Sequence, residues 1–109
     1  MNFDDMSPEE RLQLLRFVCA FAWSDMEIQA AEKAAVARLA EQMHLPLEHK
    51  SKVRSWLQHP PPLDGLDPTD IPHAHRTVFL DALWQTISAD GSVSREEWEN
   101  YRLVKELSN

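Results

Sequence analysis

Two acidic turns carry the residues of this chain best suited to chemistry. The first reads Trp23-Ser24-Asp25-Met26-Glu27-Ile28 and is followed by Glu32; the second reads Ser88-Ala89-Asp90-Gly91-Ser92-Val93 and is followed by Glu97. In each copy an aspartate precedes a β-branched apolar residue by three positions and a glutamate by seven, and the copies lie 65 residues apart. Duplicated carboxylates at fixed spacing beside turns suit two tasks. They can hold a divalent cation, or they can accept the free amides at the start of a helix. Asp25, Glu32, Asp90 and Glu97 are therefore the candidate metal-ligating residues, and a divalent cation is the possible cofactor.

The capping alternative is strongest in the second copy. Ser94 and Glu97 have the spacing of a capping box, and Asp90 can accept backbone amides within its own turn. In the first copy Gln29 occupies the cap position, so capping explains Asp25 and Glu32 less well, and simple solvent exposure explains them equally. An EF-hand register fits poorly. With Gly91 at the sixth loop position, the first and third positions fall on Thr86 and Ser88, and in the first copy on Phe21 and Trp23, which cannot coordinate calcium.

Other chemistry has little support. The only two glycines, Gly65 and Gly91, cannot form a phosphate-binding loop, and no nucleophile elbow or pair of histidines one helical turn apart occurs. An enzyme is not expected. His73 and His75 stand two apart and diverge on a helix, so a zinc site would need His59 to return across the proline run; ordinary surface histidines are the simpler reading. A net charge of −7 argues against nucleic acid, which calls for clustered lysine and arginine. The basic stretch from His49 to Arg54 reads as a solvated helix face. A protein partner is expected, with the acids Glu96, Glu97 and Glu99 as a surface for a basic segment.

The elements that must position these residues are helices. Apolar residues recur at helical intervals without sustained alternation, which predicts an all-α chain of five to six helices in one domain, residues 1–109. Ser7-Pro8-Glu9-Glu10 opens a first helix running to about Trp23. A second spans about Gln29 to Met43 with a stripe of Ile28, Ala31, Ala35, Leu39 and Met43, and a third spans about Pro46 to Gln58, burying Leu47, Val53, Trp56 and Leu57. The proline run from His59 to Gly65 separates two pseudo-repeats, about 7–58 and 67–107, with the linker at about 59–66. Asp67 to Asp70 could cap a single turn before Pro72 opens a long helix to about Ala89. The last helix starts at Ser94 and buries Trp98, Tyr101, Val104 and Leu107, although the acids around Trp98 suit partial exposure. The runs Phe17 to Trp23 and Val78 to Trp84 are apolar around the helix and should form the centre. Phe17, Phe21, Trp23, Phe79 and Trp84 are thus expected in the core, as is the lone Cys19. The acidic start and the short apolar runs predict a cytoplasmic chain without a leader or membrane span.

The stretch Thr86 to Glu97, with Ala-Asp-Gly, an apolar residue and then glutamate, resembles the tellurite-resistance TerB-like family, and a weaker copy in the first half extends the resemblance over nearly the whole chain. The resemblance implies a compact all-α domain of two pseudo-repeats, associated with stress responses and suspected of binding divalent cations through Asp25, Glu32, Asp90 and Glu97. Ser24 and Met26 depart from the pattern in the first copy, and a residue other than glycine at 26 disfavours a left-handed turn.

Overall fold

The computed structural model describes residues 3, 6–23, 28–62, 75–89, 91 and 93–107. The fold is all-α: among the described residues there are five helices and no strand. They are α1 (Pro8–Ala22), α2 (Ala30–Gln42), α3 (Leu47–Trp56), α4 (Arg76–Ile87) and α5 (Arg95–Leu107).

Helix α1 begins where Ser7 and Glu10 close a capping box. The Glu10 amide donates to Ser7 Oγ at 3.2 Å, and the Ser7 amide donates to Glu10 Oε1 at 2.8 Å. The hydrogen bond from the Ser7 backbone favours the ionised carboxylate and holds Glu10 below its ordinary pKa. The helix ends at Trp23, whose indole Nε1–H donates to Trp56 O at 2.8 Å and ties the end of α1 to the end of α3.

The two expected central runs do meet. Phe17, Val18, Cys19 and Ala22 of α1 and Phe79, Ala82 and Leu83 of α4 are all buried in one core, with Phe17 and Phe79 edge to face at 5.9 Å. Burial in that apolar setting pushes the Cys19 thiol up to about 12. Helix α2 adds Val36, Leu39 and Ala40, with Met43 buried just beyond its end, and Arg11 of α1 donates Nη1–H to Met43 O at 2.8 Å. His44 then turns the chain with a φ of 53°, a left-handed conformation that glycine usually takes at this point.

Helix α3 packs on α1 and α2, while α5 packs on α4 and more lightly on α1. Arg16 of α1 reaches the proline run, donating Nε–H and Nη2–H to Pro62 O at 3.0 and 2.7 Å. The remainder of the expected linker, the single turn at 67–70 and the expected helix start at Pro72 lie outside the described residues.

Several expectations need correction, and Phe21, Trp23, Trp56, Leu57, Tyr101 and Val104 are half-buried at the rim of the core rather than enclosed in it. Leu47 is 78% exposed because it sits in the first turn of α3, on the side turned away from α1 and α2. Ala31 is only half-buried within the α2 stripe. His75 is not a surface histidine: it is buried at the start of α4, with Nδ1 3.5 Å from Glu10 Oε2. Trp84 leaves the core altogether, and Asp81 beside it on α4 is exposed too, so this helix is apolar on one side and open on the other. No helix among the described residues is long and apolar enough to cross a membrane.

Candidate functional site

The sequence candidates divide into two described glutamates and two aspartates, Asp25 and Asp90, that lie outside the described residues. Glu32 and Glu97 take the same structural position, the third residue of the helix that follows each turn. Glu32 Oε1 accepts the Gln29 amide at 2.9 Å, and Glu97 Oε1 accepts the Ser94 amide at 3.2 Å. The box closes from both sides in both copies: the Gln29 side chain accepts from the Glu32 amide, and the Glu97 amide donates to Ser94 Oγ at 3.1 Å.

Both carboxylates are buried, Glu32 at 3% and Glu97 at 8% exposure. Solvent exposure therefore does not account for Glu32, and Glu97 does not belong to the acidic surface expected of it with Glu96 and Glu99, because its carboxylate turns back onto the start of α5. Glu32 reaches back over the first turn of α2, where the exposed amides and the helix dipole favour a negative group. Gly91 has a φ of 84°, the left-handed conformation expected of that turn.

Among the described residues no three of His, Cys, Asp and Glu stand together as a metal would need. Each of the two described glutamates already has one carboxylate oxygen on a backbone amide.

A different group of side chains converges on the outer face of α4 and α5. Asp81 and Trp84 lie three apart on α4, and Trp98 and Tyr101 lie three apart on α5, so each pair shares a helix face. These four side chains line a notch of about 270 Å³. Trp84 stands at 74° to Trp98 with ring centroids 5.9 Å apart, and at 52° to Tyr101 at 5.2 Å; Trp98 and Tyr101 lie within 26° of parallel at 6.2 Å. The rings support one another, yet Trp84 remains 38% and Trp98 48% exposed.

Two large aromatic surfaces left open side by side are costly unless a partner covers them. The phenol of Tyr101 titrates above its ordinary value because it is partly desolvated and because the negative charge of Asp81 opposes a phenolate. Asp81 is the charged member of the lining. Arg95 and Arg102 on α5 pair with Glu99 at 3.2 Å and Glu106 at 3.5 Å, one turn on in each case, and Lys105 lies beyond Tyr101 without lining the notch.

Sequence reasoning marked Trp98 alone of these four as suited to exposure. The signal for the others was the paired spacing Asp81-x-x-Trp84 and Trp98-x-x-Tyr101 on the two helices flanking one turn. Comparison with models of known families, with characterised proteins and with solved structures finds no match, so the chemistry of this face is read from its own residues.

Proposed function

We propose that this chain is a non-enzymatic interaction module that engages a basic segment of a protein partner through the outer face of α4 and α5. The observation that carries the reading is the pair of exposed indoles, Trp84 and Trp98, set beside the Asp81 carboxylate. Indole faces and a carboxylate complement a segment that offers lysine or arginine along with apolar stems. The acids Glu96 and Glu99, both exposed on α5, and the net charge of −7 favour encounter with such a segment.

The test is a titration of isotopically labelled protein with a synthetic basic peptide rich in lysine and leucine. The indole N–H signals of Trp84 and Trp98 should shift, less so at high salt, and the shifts should vanish in Trp98→Ala. Shifts confined to other faces would sink the reading.

A divalent-cation module of the TerB-like kind is the second reading, favoured by the matching placement of Glu32 and Glu97 after the two turns. Calcium, magnesium, manganese or zinc should then raise the melting temperature, and Asp90→Asn should remove the rise. A melting temperature indifferent to all four metals would dismiss it.

A further inference from the structure

We propose that the Asp81, Trp84, Trp98 and Tyr101 notch is a receptor for a methylated ammonium group, of the kind carried by a trimethyllysine side chain or by choline. This rests on the interaction reading above and names the group that the face recognises. Two other places in the fold are less suited. The cleft between α1 and α3 is lined by Arg16, whose guanidinium already donates to Pro62 O, and by Glu9 of opposite charge. The smaller groove between α2 and α3 joins Glu41 to Lys50, which pair at 3.3 Å.

The notch has the components that a methylated cation requires. Three aromatic side chains line it, packed on one another with Trp84 steeply inclined to both Trp98 and Tyr101, and the exposed indoles of Trp84 and Trp98 offer a cation ring surface of two orientations. Each ring presents a negative quadrupole, and tryptophan is the strongest of the three aromatic types for a cation. Asp81 adds a full negative charge on the same lining, and among the described residues no cationic side chain shares it.

The choice of a methylated over a bare ammonium follows from solvation. A bare lysine ammonium carries three N–H donors and is strongly hydrated, so entering an aromatic notch strips water that the rings do not replace. Among the lining residues only the Asp81 carboxylate and the Tyr101 hydroxyl can accept those donors. A trimethylammonium group has no N–H to satisfy and spreads its charge over methyl groups that pack against indole faces. The same walls therefore cost it less and attract it as strongly.

The test uses the full chain and four probes: choline, its uncharged tert-butyl isostere 3,3-dimethylbutanol, and one basic peptide in two forms, with unmodified lysine or trimethyllysine. Binding is read from the indole signals of Trp84 and Trp98 and by calorimetry. The trimethyllysine peptide should bind about tenfold more tightly than its unmodified form, and choline should bind measurably more tightly than the isostere. Trp98→Ala should weaken both methylated probes about tenfold, and Asp81→Asn several-fold. Both positions are exposed, so the variants should fold; a retained thermal transition checks that.

Equal affinity for the two peptides on this face would overturn the inference and leave the interaction reading standing. Choline bound in preference to the isostere, with neither peptide engaged, would support the ligand chemistry with a small molecule as its source and would sink the interaction reading. Trimethyllysine preference without choline binding would support a protein side chain as the source. Failure of all four probes to move the indole signals would overturn both.

Discussion

The α1–α2 hairpin and the α4–α5 hairpin share a turn pattern and a glutamate brace, but they differ in what lies over one side. At the 65-residue offset of the repeat, Asp81 corresponds to Arg16, Trp84 to Cys19, Trp98 to Lys33 and Tyr101 to Val36. Arg16 lies in the cleft beside α3, and Cys19 and Val36 are fully buried. Helix α3 packs on both α1 and α2, while the described packing partners of α5 are α4 and α1. Of these matched positions Cys19 and Val36 lie in the core and Lys33 is exposed in the first hairpin, whereas in the second Trp84 and Trp98 are exposed and Tyr101 is half-buried. The difference lies at Cys19 against Trp84 and Val36 against Tyr101, where apolar side chains are buried in one hairpin and left open to a partner in the other.

Substitutions at matched positions sharpen that contrast, beginning with the largest effect. Leu15 is fully buried while its counterpart Leu80 is only partly so. Leu15→Ala should lower unfolding free energy by about 2–5 kcal/mol, and Leu80→Ala by clearly less. Equal losses in denaturant melts would mean that the second hairpin is covered as fully as the first.

Next comes alkaline pH, which reads the burial of Cys19 directly. The thiol rises from an ordinary value of 9.0 to about 12 in the folded state. A group whose folded pKa is raised contributes stability that is whole below the unfolded value and is lost as pH climbs toward the folded one, each unit being worth about 1.4 kcal/mol. Stability should therefore decline between about pH 9 and 12, and Cys19→Ala should remove most of that slope, leaving the part due to Tyr101, whose pKa is also raised. An unchanged slope would show that Cys19 is not shielded from water.

The turns come third. Gly91 has positive φ and open space around it, so Gly91→Ala should cost about 1–2 kcal/mol through backbone strain alone. No loss on thermal melting would mean that the turn readily adopts another conformation.

The smallest effect lies in the caps. Ser94→Ala should cost about 1 kcal/mol by breaking the reciprocal box, and Gln29→Ala should cost the first helix start about that much or less. If Gln29→Ala left the melting temperature unchanged, the two helix starts would not be equivalent.

Much of this was legible in the residues themselves. Ser7-Pro8-Glu9-Glu10 and Ser94-Arg95-Glu96-Glu97 are local signals that act within one helical turn, and both boxes form as read. Glu32 was harder, because Gln29 is a poor cap by type. The structure nevertheless places its carboxylate on the Gln29 amide, buried where exposure was the simpler expectation. The aromatic notch was hardest: Trp84 sits in a largely apolar run that reads as core, and the signals of an open side were Asp81 within that run and the matching spacing of Trp98 and Tyr101 on the next helix.

Helical period, caps, the left-handed turn at Gly91 and the meeting of the two apolar runs were determined by the sequence alone, since each depends on neighbours within a few positions or on bulk apolarity. Which side of each hairpin is covered was decided only in three dimensions. Local periodicity states that a face is apolar, but its burial depends on whether another element of the chain reaches it. For the first hairpin α3 does. For the second, Trp84, Trp98 and Tyr101 gather beside Asp81 at a surface that no described helix covers.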